Sequence, residues 1–218
     1  MSIEPILVIG ASRGIGAEFA RQYLADGRTV HATVRDLAKP QELTDLEGDL
    51  VLHQFDVRDV ERTAELAREL AGSGLCIVIH NAGIRSGVPP EEIMDVNAAA
   101  PIRVVEALLD AGAIQAGGVV AIMTSQMGAR RGGTARLGDY GESKAALNDE
   151  FRRRAEAWGE RGALAIVVHP GWVRTDMGGA FASVGVEESV TGMRKLLADL
   201  TPEQHGRFWT WNGREHPW

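Results

Sequence analysis

The sequence predicts an α/β protein of the Rossmann type: a doubly wound parallel sheet of about seven strands with helices on both faces. Three observations carry this. Short apolar, β-rich runs alternate with longer helix-like stretches along the whole chain. Two of the runs, Val119–Met123 and Leu164–Val168, are apolar at every position, as strands buried on both faces of a parallel sheet require. The first run feeds directly into a glycine-rich turn and then a helix pattern, the order that a phosphate-binding loop needs.

Composition bounds the rest. The 218 residues and 23.5 kDa suit one domain spanning 1–218, since single cores stop growing at roughly 250–300 residues. Hydrophobic residues make up 44% and charged residues 24%, which argues against a disordered chain. The 23 Lys and Arg against 30 Asp and Glu give a formal charge of -7, which argues against a nucleic-acid partner. The single cysteine, Cys76, excludes an intrachain disulfide and a Cys-based zinc site, and no metal is expected. Cys76 lies in an apolar run and reads as a buried strand residue. The start, Met1-Ser2-Ile3-Glu4-Pro5, lacks the features of a signal peptide, and no apolar run approaches the ~18 residues of a membrane span. A cytoplasmic protein with no membrane association is the expectation.

The elements follow in order. Strands are predicted at Ile6–Ile9, Thr29–Val34, Leu50–Phe55, Leu75–Ile79, Val119–Met123, Leu164–Val168 and Arg207–Trp211. Helices are predicted at Ile15–Leu24, Val60–Leu70, Glu92–Leu109, Tyr140–Trp158 and Glu187–Leu200. On the fourth helix Leu147, Phe151 and Trp158 form one apolar stripe, open either to the core or to a helix–helix contact between subunits. Trp209 and Trp211 alternate onto one strand face, suited to edge-strand packing or a subunit contact.

The turn after the first strand reads Gly10-Ala11-Ser12-Arg13-Gly14-Ile15-Gly16. Its glycines let a pyrophosphate approach the backbone, and the helix start offers free N–H groups. The second strand ends at Val34 and Arg35. A carboxylate at that tip would bind an adenosine ribose hydroxyl, whereas a base accommodates a 2′-phosphate. Arg35 and Arg13 together therefore favour NADP(H) over NAD(H); the alternative is a solvated Arg35 paired with Asp36. Tyr140 and Lys144 stand at i and i+4, on one helical face, where a cation stabilises a phenolate and tunes it for proton transfer. Ser125, ending the fifth strand, can hydrogen-bond the same substrate oxygen.

These features together resemble the short-chain dehydrogenases/reductases of the single-domain branch. The resemblance runs from Gly10 to the final strand on GASRGIG, Asp56-Val57, Asn81-Ala82-Gly83, Asn97, Ser125, YGESK and Pro170-Gly171. The run Gly171–Met177 is similar to the C-factor and Sniffer type of carbonyl-reductase relatives. The resemblance implies an NADP(H)-dependent oxidoreductase acting on a small carbonyl or alcohol. Tyr140 would be its general acid or base, Lys144 would bind the nicotinamide ribose, and Ser125 would orient the substrate oxygen. Asn97 would support a water that relays protons to Lys144. The loop residues Gly10, Ser12, Arg13, Gly14, Ile15 and Gly16, with Arg35, would hold the phosphates. Asp56 and Val57 would contact adenine, Asn81, Ala82 and Gly83 would line the adenosine side, and Pro170, Gly171, Val173 and Thr175 would meet the nicotinamide end. Helix kinking or capping remains open for Asn97, and capping for Thr175.

Two departures from the family pattern stand out. Ile9 replaces the usual Thr before Gly10, and His80 replaces the first Asn of Asn-Asn-Ala-Gly; His80 reads as a satisfied strand-end histidine. The loop between Ser125 and Tyr140 carries Arg130, Arg131 and Arg136 among glycines, readable as an anion site or as a solvated loop. Met177–Val186 makes a short substrate lid, implying an open pocket. In many relatives the Tyr-bearing helix and its predecessor pack against a twin subunit. Here Leu147, Phe151 and Trp158, with Ile102, Val105 and Leu109, would supply that contact, with Glu106 and Asp110 as mates for Arg152–Arg154, so a homodimer or higher homo-oligomer is expected. A nucleotide-sensing or signalling protein without enzymatic activity is the runner-up. A sugar-nucleotide epimerase of the extended branch would need more chain after Pro170.

Overall fold

A computed structural model describes residues 4–131 and 138–218. Seven strands form one parallel sheet in the order β3-β2-β1-β4-β5-β6-β7. They are β1 Ile6–Ile9, β2 Val30–Val34, β3 Leu50–Gln54, β4 Leu75–His80, β5 Ile114–Met123, β6 Leu164–His169 and β7 Phe208–Thr210. The order reverses between β1 and β4, so the chain leaves both strands in opposite directions and opens a crevice at their carboxyl ends.

Helices cover both faces. One layer is built by α1 Gly14–Ala25 and α6 Val186–Ala198, whose Phe19, Ala20, Val190 and Met193 are buried against Ile6, Val8 and Ile166. The other holds α2 Val60–Glu69, α4 Ala100–Asp110 and α5 Gly138–Glu160, which bury Leu66, Val105, Leu147 and Phe151 against Leu7, Val78 and Val120. Burial of apolar area on both faces is the main stabilising term.

Three element predictions change. β5 begins five residues earlier than its apolar run, because Gly117 and Gly118 lie inside the strand at a register shift against β4 rather than ending a loop. The helix expected over Glu92–Leu109 has three parts: α3 Pro90–Met94, a π-helical turn Asp95–Ala99, and α4. Pro101 explains the turn, since it has no N–H to give the Asn97 carbonyl four residues back. His80 extends β4 and pairs in register with Ile9 and Ile122, so the two departures from the family pattern are direct neighbours.

The apolar stripe of α5 turns inward. Leu147, Phe151 and Trp158 are buried in this chain's own core, as are Ile102 and Val105 of α4, so they supply no subunit contact. The outward side carries charge: Arg154 pairs with Glu106 and Glu150, and Arg153 with Glu150. Asp110 pairs with Arg161 instead of the Arg152–Arg154 cluster, and Arg152 stacks on Trp218. Trp209 packs into the core beside α6, and Trp211 packs against Gly171 and Gly192. Among the described residues no helix is long and apolar enough to cross a membrane.

Candidate active site

The crevice is a cleft of about 830 Å³. Its floor is set by close backbone approaches that only glycine permits. Gly10 takes φ +79°, and a Cβ there would lie 2.8 Å from the Ala82 backbone. A Cβ at Gly16 would lie 2.2 Å from the Gly10 carbonyl oxygen. Asn81 Nδ2 donates to the Gly10 carbonyl at 2.8 Å, and the Gly10 N–H donates to Thr33 Oγ1 at 2.9 Å. The glycine loop is thus tied to the ends of β2 and β4 before any ligand arrives. Thr33 carries no motif signal, and only the strand register places it under the loop.

At the far wall lie Val34, Arg35, Phe55, Asp56 and Val57. Arg58 grips Asp56 with two hydrogen bonds, at 3.0 and 2.6 Å, and holds its carboxyl below the usual range. Arg35 makes no ion pair among the described residues, with Asp36 or any other. Arg13, expected to converge with Arg35, instead donates to Asp176 at 2.9 Å. That bond joins the glycine loop to the segment after Thr175, whose Met177 carbonyl accepts from Arg85 at 3.2 Å. The start of the short segment is therefore tied to both the glycine loop and Arg85.

The other end holds Tyr140 and Lys144, both on the cleft wall. Lys144 Nζ lies 5.9 Å from the Tyr140 ring centroid and donates to the Met123 carbonyl at 2.9 Å. Burial holds the ammonium down at about 8. Burial also raises the Tyr140 phenol, while the Ser125 hydroxyl and the Arg85 guanidinium pull it the other way. Ser125 caps a 3-10 turn, Gln126–Gly128, by accepting the Met127 N–H at 3.2 Å. That turn lies directly on α5: a Cβ at Gly128 would stand 2.5 Å from the Lys144 carbonyl carbon. Asn148 Oδ1 accepts from Thr124 Oγ1 at 2.6 Å, and Asn148 Nδ2 reaches the Gly128 carbonyl at 3.3 Å. Gly128, Thr124 and Asn148 thereby fix Ser125 relative to Tyr140, yet none carries a recognisable spacing in the sequence.

Of the expected residues, Gly10, Ser12, Arg13, Gly14, Ile15, Arg35, Asp56, Val57, Asn81, Ala82, Gly83, Tyr140, Lys144, Pro170 and Thr175 line the cleft. Ser125, Gly16, Asn97, Gly171 and Val173 do not, each for a local reason. Ser125 is buried beside the lining residue Thr124, with its hydroxyl on the Met127 N–H. Gly16 packs on Gly10, and Gly171 on the Trp211 ring. Val173 is buried and bridges to Val184. Asn97 Oδ1 accepts the Ile84 N–H at 2.9 Å, while its Nδ2 donates to the Ile84 carbonyl at 2.7 Å and to Ser143 Oγ at 3.0 Å. Its side chain clasps a loop, and its backbone carbonyl has no N–H of Pro101 to accept. Thr175 lines the cleft and also accepts from the Gly178 N–H at 3.2 Å.

His80 is buried, but neither ring nitrogen has a partner, so it is not the satisfied histidine expected; burial holds it neutral, down at about 3. Cys76 is buried and burial pushes its thiol up. The Arg130 guanidinium is taken by Asp149, and the Arg131 backbone N–H donates to the Trp218 carbonyl; Arg136 lies outside the described residues. No group of three or more His, Cys, Asp or Glu able to hold a metal occurs among the described residues.

A parallel sheet with a glycine loop at its switch point and a Tyr–Lys pair at the far end of one cleft defines a class of nucleotide-dependent oxidoreductases. The family model described as short chain dehydrogenase matches residues 4–183, and the chain belongs to that family. It is 40% identical over 127 residues to C-signal of Myxococcus xanthus, a match covering 56% of this chain and 75% of that one. The NADPH-bound carbonyl reductase from chicken fatty liver superposes with a TM-score of 0.86 at 32% identity, covering 100% of each chain. Carbonyl reductase Sniffer of D. melanogaster shares the fold, with a TM-score of 0.87 at 23% identity and 100% coverage of each.

Proposed function

We propose that the chain is an NADP(H)-dependent reductase of small carbonyl compounds, reversible toward alcohol oxidation. One observation carries the reading: a single cleft runs from the glycine loop and an unpaired Arg35 to the Tyr140–Lys144 pair. The cradle at Gly10, where a side chain would collide with the Ala82 backbone, and at Gly14, whose positive φ disfavours a side chain, fits a pyrophosphate drawn close to the backbone. Arg35 fits the 2′-phosphate, and the NADPH-bound chicken relative supports that choice.

When bound, the cofactor supplies the hydride. The protein's part is orientation and the proton. The Ser125 hydroxyl donates a hydrogen bond to the carbonyl oxygen and polarises it. Tyr140 gives its phenolic proton to that oxygen as negative charge develops. Burial keeps the phenol protonated at neutral pH, the state a reductase needs. The Lys144 ammonium then stabilises the phenolate left behind, and the Asn97 carbonyl supports a water through which Lys144 recovers a proton. The similarity to C-signal favours a second reading, signalling without catalysis, in which a Tyr140→Phe protein would retain its biological effect.

Calorimetric titration of NADPH and NADH into the wild type and Arg35→Ala tests the cofactor reading. NADPH should bind tighter than NADH, and Arg35→Ala should cost NADPH about 1.5–3 kcal/mol while sparing NADH. Equal wild-type affinities would overturn it.

A further inference from the structure

The glycine loop carries an unexpected carboxylate. The α1 helix has no acidic residue in its first turn and no side-chain cap from its own N-cap residue, Arg13. Its Gly14 N–H donates instead to Glu42 Oε2, at 3.0 Å, from a short 3-10 turn Gln41–Leu43 that follows β2. The Glu42 N–H in turn donates to the Ser12 carbonyl at 3.1 Å. Glu42 is thus docked on the loop through both backbone and side chain, 28 positions away from Gly14 in sequence. Gln41 takes φ +58°, the only non-glycine with a positive φ among the described residues. Left-handed backbone is costly for a side-chain-bearing residue, so the packing around Glu42 overrides a local preference.

Glu42 lines the same cleft as Arg13 and Arg35. Neither arginine neutralises it: Arg13 is taken by Asp176, and Arg35 has no ion pair among the described residues. The carboxylate therefore places a negative charge, and an acceptor already in use, at the end of the cleft where the cofactor phosphates must lie. A 2′-phosphate held at Arg35 in the same cleft is repelled by it, over and above what the pyrophosphate common to both cofactors meets. A 2′-hydroxyl is not repelled, because a carboxylate accepts hydrogen bonds from hydroxyls.

We propose that Glu42 is a cofactor-selectivity residue: its carboxylate, fixed on the Gly14 N–H, opposes the extra phosphate of NADP(H) and tempers the preference that Arg35 creates. The inference rests on the cofactor reading above and goes beyond it. The cleft holds two opposed determinants, one cationic at the tip of β2 and one anionic on the loop, and the selectivity is their difference.

Glu42→Gln isolates the charge, because the glutamine carbonyl still accepts from Gly14 and the loop stays docked. Calorimetry with NADPH and NADH, on wild type and variant, reads the result without turnover. NADPH affinity should rise about two- to tenfold, the range for a partly screened charge, with NADH affinity unchanged or lower, so the NADPH/NADH ratio rises. An unchanged or weaker NADPH affinity, or equal tightening of both cofactors, overturns the proposal while leaving the cofactor reading intact. A wild type that binds neither cofactor overturns that reading and this inference together.

Discussion

Lys144 shows how function and stability pull against each other at one residue. It is buried, its ammonium has one protein acceptor, the Met123 carbonyl, and burial holds it at about 8 against an ordinary 10.5. At about 1.4 kcal/mol per pKa unit, keeping it charged at neutral pH costs roughly 3 kcal/mol. The sign follows from linkage. The folded chain holds this proton less tightly than the unfolded chain, so stability is recovered as pH rises from about 8 to 10.5. Lys144→Met should abolish turnover yet raise stability by about 1–2 kcal/mol, the loss of one hydrogen bond offsetting part of the gain. Urea denaturation at neutral pH checks this; a variant less stable than the wild type would contradict it. Tyr140→Phe should act differently, leaving stability and NADPH affinity nearly unchanged while turnover collapses.

At the scale of elements, the proposed catalytic geometry depends on how the Ser125 turn meets α5. Gly128 permits that contact, and the Asn148 side chain ties the turn down with two hydrogen bonds. Gly128→Ala must push the turn off α5 at a cost of about 1–3 kcal/mol, and it should lower kcat more than it weakens NADPH binding, because the glycine loop lies elsewhere. Thermal melts with steady-state kinetics test this; a variant with wild-type kcat would show that Ser125 needs no such support. This contact was not legible in the sequence, whereas the glycine loop and the Tyr–Lys pair were. Gly10–Gly16 and Tyr140–Lys144 are local spacings that follow directly from turn and helix geometry. Thr33, Gly128, Asn148 and Glu42 act across strands or between distant segments, and only the fold brings them to the cleft. The π turn was half visible: Pro101 was present, but a 3.6-residue period smooths over one missing hydrogen bond.

For the whole molecule, the apolar runs specified the sheet and its two covered faces, and one helical stripe misled. Leu147, Phe151 and Trp158 fit a core or a partner equally well as a pattern, and the sheet claims them. A homo-oligomer must then use other surface, and light scattering at micromolar concentration would end that expectation if it returned a mass near 23.5 kDa. Acid stability is also a property of the whole. His80 and His169 are held down at about 3 and about 4 by burial, whereas unfolded histidines take up protons near 6.5. The unfolded chain therefore binds more protons between pH 6.5 and about 3–4, and stability falls as pH drops through that window, by up to roughly 1.4 kcal/mol per pH unit for each histidine. Denaturation at pH 7 and pH 5 should show the loss, to which His31 and His53, also held down by burial, add, and His80→Asn should remove the His80 part of it.

The central claim is that this cleft reduces carbonyls through Tyr140. It is tested most directly by following NADPH oxidation by purified wild type and Tyr140→Phe against a panel of aldehydes, ketones and quinones. Wild type should turn over at least one of them, and Tyr140→Phe should lose about a hundredfold or more of that rate while still binding NADPH. A Tyr140→Phe protein reducing the same substrate at near wild-type rate would contradict the account.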